Sequence, residues 1–552
     1  MRLYLPPAAR CARLFTGVHC CRFSGGGVMV VFLIGLVLLM LGYFFYGPVV
    51  ARTMSPDPLR PTPATTCQDG VDFVPMPTWR IFLIQLLNIA GLGPVFGPIL
   101  GALWGPQVML WVVFGCILGG AVHDLLSGTL SVRNNGAGLP ELIGHYLGKP
   151  ARHLATFFIL ALMVLVGTVF VKGPADLIAR EITPDMVGGL FGDGAVQALW
   201  ASHGGLSLWV WILMGAIFLY YVVATLLPID KLIGKIYPFF GAALLVMVLG
   251  LLVALLAGKI QAAPFDLANH HPSGTAAWPI IFITVSCGAI SGFHATQSPL
   301  MARCLKSERH LRLVFYGAMI VEGLIALIWS AAASGYYGGV AGLDAAMGPS
   351  HNPAVVVHEV CRGTMGVTGG VLAVLGVVVL PITSGDTAFR AARLIAADYL
   401  KLPQKKIANR YKVALPLFAL SLALNFIPFG IVWRYFGWAN QTLAAVTLWA
   451  CAVALSRRGR WWWIAAGPAA FMTVMTFTYI LVEKRQNGCL GLDHTVGTII
   501  GLCLGAAALG WFLWRLPELR RQGEKPPLPP PNQEPERHLC VEEKSGDSPL
   551  AL

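Results

Sequence analysis

Long apolar stretches alternate with short polar ones along nearly the whole chain, each about 20 residues long, the length a helix needs to cross a hydrocarbon core of about 30 Å. Lipid offers the backbone no hydrogen-bond partner. Runs of this length, rich in Gly, Leu, Val and Ala, therefore close their bonds within helices rather than in the shorter strands of a barrel. The pattern predicts spans over residues 28–49, 79–103, 107–127, 153–172, 207–227, 234–257, 278–300, 311–334, 367–385, 412–430, 436–455, 461–482 and 495–514. The expected fold class is all-α, a polytopic membrane protein with about thirteen transmembrane helices.

Composition agrees. Charged residues are 12% of the chain and hydrophobic ones 56%, whereas a soluble domain carries about a quarter charged. The formal charge of +13 does not point to nucleic acid, because Lys and Arg sit in short loops with no interleaved aromatic platform. Those loops set the orientation. Arg303, Lys306, Arg309 and Arg312, then Arg390, Arg393, Lys401, Lys405, Lys406 and Arg410, then Arg457, Arg458 and Arg460, belong on the cytoplasmic side. Counting back puts Arg133, Lys149, Arg152, Arg52 and Arg60 inside too, and the N-terminus outside. Residues 1–27 disagree, since Arg2, Arg10, Arg13 and Arg22 would have to be translocated. Either the helix count is off by one or this extension is atypical, with Met29 a candidate natural start; a signal peptide fits less well. The twelve Cys show no metal or disulfide spacing and read as small apolar residues. From residue 516 the Pro-rich KPPLPPP and mixed charge predict a disordered cytoplasmic tail.

Two spans are interrupted. Asn88 to Pro98, NIAGLGPVFGP, holds three Gly and two Pro, and Pro both removes a donor and clashes with the preceding turn. Ser286 to Pro299, SCGAISGFHATQSP, combines Gly288 and Gly292 with Ser286, Ser291, His294, Thr296, Gln297 and Ser298, which is polar for membrane depth. Close packing and a tolerated kink would explain one such span. The two lie five helix positions apart and run in opposite directions by the charge pattern, so residues 79–257 and 278–455 read as inverted repeats with a solute site at their breaks. Asn88, Gly91 and Gly93 would contribute from one side, and Ser286, Gly288, Ser291, His294 and Gln297 from the other. Residues 28–78 then form an extra helix and loop, and 461–515 two accessory helices.

The chain resembles the carbon starvation protein A (CstA) family from about residue 29 to 515. The resemblance rests on DGVDFVPM at 69–76, GLGPVFGP at 91–98 with the following GALWGP, GGAVHDLLSG at 119–128, RNNGAGLPELIG at 133–144, ITVSCGAISGFHATQSP at 283–299 and TSGDTAFRAARLIAAD at 383–398. It implies the five-plus-five inverted repeat (LeuT-like) core of the amino acid, polyamine and organocation transporters. It also implies import of peptides during carbon starvation, or, as in relatives, proton-coupled uptake of pyruvate, in the bacterial inner membrane.

Ionisable groups within spans are costly and usually functional. His123 and Asp124 fall in the GGAVHD stretch, where a His beside a carboxylate could exchange a proton or merely cap a helix. His294 lies just past the second break. Glu322 sits mid-span with no opposite charge near it in sequence, so it must be paired through tertiary contact, protonated or hydrated. Asp386 and Arg390 read as an ion pair one turn apart. Lys172 reads as snorkelling to the outer interface. The architecture that the resemblance implies would let Thr383 and Ser384 face carbonyls of the first broken helix and hold Na⁺, or serve as packing groups. The coupling ion is expected to be H⁺ rather than Na⁺, with no further cofactor and no metal. A membrane-embedded enzyme and a starvation sensor are the rival classes; no HExxH, nucleophile elbow or phosphate loop occurs in the spans.

Overall fold

The computed structural model describes residues 26–530 except 71–72, 183, 204–205, 226–228, 261–265, 350, 405 and 460. The extension to residue 25 with its arginines and Cys20 and Cys21, the positions Lys405 and Arg460, and the tail from 531 lie outside the described residues.

The described chain is helical apart from one short pairing of Ser202–His203 with Leu206–Ser207. The helices that matter below are α1 (Met29–Thr53), α2 (Thr78–Ile89), α3 (Gly93–Gly101), α4 (Val108–Arg133), α5 (Lys149–Arg180), α6 (Leu208–Ala224), α7 (Ile229–Leu256), α8 (Ile280–Thr284), α9 (His294–Ala302), α10 (Glu308–Tyr336), α11 (Pro353–Ala373), α12 (Leu375–Ala397), α13 (Ile407–Leu424), α14 (Phe429–Arg457), α15 (Trp463–Val482) and α16 (His494–Gln522). Among the described residues, nine helices are long and apolar enough to cross a membrane, and eleven if each of two bent pairs counts once.

That is fewer than the thirteen expected. The difference falls on particular segments. α6 is an apolar helix of Leu208–Ala224, below the length of the others. The seventh expected span is not one helix at all, because α8 stops at Thr284 and α9 starts at His294. The ninth, expected at 367–385, begins earlier, at Pro353, and continues as α12 beyond a 47° bend. Gly366 at φ 65° marks a non-helical point within α11 that apolar periodicity does not register.

Burial ranks the helices. α4, α10 and α14 have 78%, 78% and 83% of their apolar stretches enclosed, whereas α1, α13 and α16 have 22% and form the rim. The enclosed helices are rich in Gly, Ala and Ser, the residues that let helix backbones approach in lipid.

The tail also differs from expectation over its first fifteen residues. α16 runs on to Gln522, and the extended segment after it is held by side chains of the basic loops. Arg458 pairs with Glu524 at 2.9 Å, Asn135 donates to the Leu528 carbonyl at 2.8 Å, and Asn134 accepts from the Leu528 amide at 3.1 Å. Leu528 also packs against the hydrophobic core, so a segment poor in apolar residues stays in place through one apolar contact and fixed polar partners for its backbone.

Candidate functional site

Both interrupted spans are broken in space. α2 and α3 meet at a 44° bend across Ala90–Leu92. Residues 285–293 between α8 and α9 leave the helical path, with Gly288 at φ 87°. That value lies in the left-handed region that favours Gly.

The breaks touch. A Cβ on Gly93 would collide with Cβ and Sγ of Cys287, and one on Gly97 would lie 3.1 Å from the Thr284 carbonyl. In this conformation the breaks pack on each other there, where the sequence led us to expect a solute pocket.

Freed backbone groups must find partners away from lipid. Trp111 Nε1 donates to the Val285 carbonyl at 2.8 Å, and Gln441 donates to that of Phe282 at 2.8 Å. Asn440 does more. Its Oδ1 accepts from the Phe293 amide at 2.7 Å, its Nδ2 donates to Ser291 Oγ at 3.0 Å, and its own carbonyl accepts from the Gly292 amide at 3.2 Å. α14 thus splints the second break through one buried amide side chain. Sequence reading passed over Asn440; the signal was two adjacent amides, Asn440 and Gln441, mid-span in WANQT.

α4 approaches from the other side. Its stretch Gly115–Gly120 is a π-bulge, a feature often found at functional sites. A Cβ on Gly120 would strike the Ala289 carbonyl, so α4 lies directly against the unwound segment. That contact carries His123 and Asp124 to the second break.

There the ionisable groups form one chain. His123 Nδ1 lies 2.8 Å from Asp124 Oδ1, His294 Nδ1 lies 2.9 Å from Asp124 Oδ2, and His294 Nε2 lies 3.3 Å from Glu322 Oε2. The other carboxylate oxygen of Glu322 accepts from the Gly288 amide at 3.1 Å. All four side chains are sealed from solvent. The geometry fixes the protons in part: both imidazoles turn Nδ1 to Asp124, so each presents Nδ1–H to that carboxylate. His294 Nε2 and Glu322 Oε2 face each other at 3.3 Å without hydrogen-bond geometry, a contact that a proton on the pair would turn from repulsion to attraction. Loss of that proton would leave a buried carboxylate without a counter-charge. Cys287 Sγ completes a group whose ligand atoms lie within 4.8 Å of one another, close enough to share one cation.

The remaining candidates are placed as follows. Asn88 and Gln297 are buried in the two broken helices, and Gln297 Oε1 has no hydrogen-bond partner among the described residues. A Cβ on Gly91 would lie 2.6 Å from the Phe170 ring. Ser286 accepts from Asn440 at 3.4 Å. Ser384 donates to the Leu87 carbonyl at 3.0 Å, so α12 does meet the first broken helix, and Thr383 is buried beside it in sequence. Asp386 lies 3.5 Å from Arg390. Lys172 does not snorkel; its Nζ reaches the Asn425 and Ile427 carbonyls at 3.5 Å and lines an internal cavity.

The two ends of the helix bundle differ. At the basic end, Glu308 accepts from Arg133 Nε and Nη2, both at 2.9 Å, and pairs with Arg60 at 3.1 Å. Arg303 Nε donates to the Gly136 carbonyl at 3.0 Å. At the opposite end a cavity of about 860 Å³ is lined by Thr284 of α8, Leu100 of α3 and the ring of Trp433. Trp433 packs, tilted by 40°, at 6.1 Å on Phe96 of the first broken span, so the cavity wall rests on that span.

Comparison with known proteins gives the lineage. The family model described as "Carbon starvation protein CstA" matches residues 27–184, 186–348 and 339–479. An uncharacterized membrane protein of Haemophilus influenzae is 44% identical over 340 residues, covering 56% of this chain and 91% of that one. The peptide transporter CstA of Campylobacter jejuni is 27% identical over 564 residues, 82% of this chain and 80% of its own. The pyruvate/proton symporter BtsT of Escherichia coli is 29% identical over 343 residues, 53% of this chain and 47% of its own. The chain is a multi-pass membrane protein of the CstA carbon starvation family.

Proposed function

We propose that this protein imports a small carboxylate-bearing nutrient, a peptide in the first instance, across the bacterial inner membrane by proton-coupled alternating access. The observation that carries the reading is the buried chain His123–Asp124–His294–Glu322, a set of groups able to hold an exchangeable proton against the backbone of a broken helix. Protonation there and the shape of the second break are one event, because Glu322 grips both His294 and the Gly288 amide. Four helices, α4 to α7, separate the breaks in α2/α3 and α8/α9, the spacing that two inverted halves of a LeuT-like core would have. At the basic end, taken as cytoplasmic, Glu308 ties Arg133 to Arg60 beside a cavity of about 370 Å³, and the cavity of about 860 Å³ lies at the other end, which supports a carrier poised to receive solute from outside.

Relatives support two substrates. Peptide transporters of the family align over most of the chain, and a pyruvate/proton symporter aligns over half of it. A proton on His294 and Glu322 serves either. Ser384 against the Leu87 carbonyl keeps a Na⁺-coupled variant of the same core in view.

The test is uptake into vesicles reconstituted with the purified protein, using di- and tripeptides, amino acids and pyruvate with lumenal pH recorded. Accumulation of one of these with lumenal acidification is the expected result. Failure of every solute under both a pH gradient and a membrane potential would overturn the carrier reading in favour of a sensor.

A further inference from the structure

The cavity away from the basic end is lined by several charged side chains, not all of them in close ion pairs. Along its wall, Arg434 and Glu483 face each other at 4.0 Å, and Glu483 also accepts from Asn487 at 2.6 Å. His351 pairs with Asp344 at 2.9 Å. Lys172 and Asp176 are different. They stand one turn apart on α5 and both line the cavity; they attract each other, and Arg180 attracts Asp176, only at longer range, since no ion pair within 4.0 Å joins Lys172 to Asp176 among the described residues.

Each has capacity left. The Lys172 ammonium has three N–H donors and, among the described residues, meets two carbonyls, both at 3.5 Å, the far limit of hydrogen bonding. Asp176 accepts from Asn352 at 3.2 Å, and a carboxylate can accept about four such bonds. The surrounding wall is aromatic, with Trp104, Phe429 and Trp433. Such a cavity, mostly apolar with a few convergent polar groups, is the usual form of a small-molecule site.

We infer that Lys172 and Asp176 form an outer binding subsite for a zwitterion, Lys172 taking the carboxylate and Asp176 the ammonium of an amino acid or short peptide. The inference rests on the carrier reading and deepens it, because a simple monocarboxylate would use Lys172 and leave Asp176 facing its own negative charge. Fixed opposite charges one helical turn apart, about 5–6 Å between their Cβ atoms, select for both ends of a ligand at once. Phe429 and Trp433 of the wall pack on Phe96 of the first broken helix, with ring centroids 5.7 to 6.3 Å apart, and so connect this subsite to that helix.

Binding of glycylglycine, N-acetylglycylglycine, glycylglycinamide and pyruvate to the full chain in lipid nanodiscs tests the subsite. The wild type is expected to prefer the free dipeptide over either capped form by about tenfold, the scale of one hydrogen bond to a charged group. Asp176→Asn should erase the preference for the free amine and keep that for the carboxylate, and Lys172→Met should do the reverse. Each preference is a ratio within one variant, so a partly folded sample does not alter it; Asp176→Glu and Lys172→Arg should restore it. Wild-type protein that ignores the amine cap, or an Asp176→Asn variant that still detects it, would overturn the subsite. Vesicle uptake separates the two readings: discrimination that follows these residues without any uptake sinks the carrier and leaves the subsite, whereas uptake with indifferent variants sinks the subsite alone.

Discussion

His294 stands between two carboxylates, with Nδ1 2.9 Å from Asp124 and Nε2 3.3 Å from Glu322, and no part of any of the three side chains reaches solvent. Two negative groups in a medium of low dielectric can share one imidazole only if protons balance them. The site therefore has a defined proton count, and changing one member changes it for all.

Asp124 receives hydrogen bonds from two imidazoles. In Asp124→Asn the amide NH2 cannot accept, so at least one His loses its partner while buried. A charged hydrogen bond is worth about 1.5–3 kcal/mol, so proton-driven uptake should fall by about tenfold to a hundredfold. Initial uptake rates at fixed pH gradient check this, and wild-type rates would refute it.

Asn440 links α14 to three points of the unwound segment. Asn440→Ala strands the Phe293 amide in a buried place, at a cost of about 1–3 kcal/mol. The thermal midpoint in detergent should drop and uptake should be lost together. Asn440→Asp keeps an acceptor for the Phe293 amide and the Ser291 hydroxyl but buries a carboxylate without a counter-charge, so it should not restore the midpoint to the wild-type value.

Gly93→Leu and Gly292→Leu should abolish uptake. The space forbids them: a Cβ at 292 would sit 2.5 Å from both the Ala444 amide nitrogen and the Asn440 carbonyl oxygen, and one at 93 would overlap Cys287. Overpacking costs about 1–3 kcal/mol even for small additions, so Gly93→Ala and Gly292→Ala should already lower the thermal midpoint. Wild-type uptake in both Leu variants would remove the breaks from the mechanism.

The latch at the basic end predicts a change of state. Glu308 is buried and holds two guanidinium groups. Glu308→Gln removes the charge and leaves Arg133, 9% exposed, without its counter-ion, an arrangement that costs about 3–5 kcal/mol when fully buried. The basic end should open more often, raising the labelling rate of a cysteine placed at Ser131 by a membrane-impermeant reagent applied from that side. An unchanged rate would mean the latch does not set the state.

The breaks were legible because Gly, Pro and small polar residues at membrane depth have few other uses, as Asn88 to Pro98 and Ser286 to Pro299 illustrate. His123, Asp124, His294 and Glu322 were each visible as charges where charge is costly. Their joining was not, because it depends on Gly120 of α4 meeting Ala289, a contact between residues with no side-chain chemistry to announce it. Asn440 hid for a similar reason: an amide in a span reads as packing until the unwound backbone it serves is placed. The expected count exceeds the eleven spans among the described residues at 207–227, where the apolar helix is short, and at 278–300, where polar residues break it. Lys172 was misread because snorkelling assumes lipid beside it, and a cavity lies there instead.

The central claim is that the proton between His294 and Glu322 travels with the solute. The measurement is lumenal pH in vesicles on addition of a transported solute, compared between wild type and Glu322→Gln, with isotope exchange of that solute recorded in parallel. The account predicts acidification by the wild type, none by Glu322→Gln, and exchange retained in both. Acidification of equal size in the variant would contradict it.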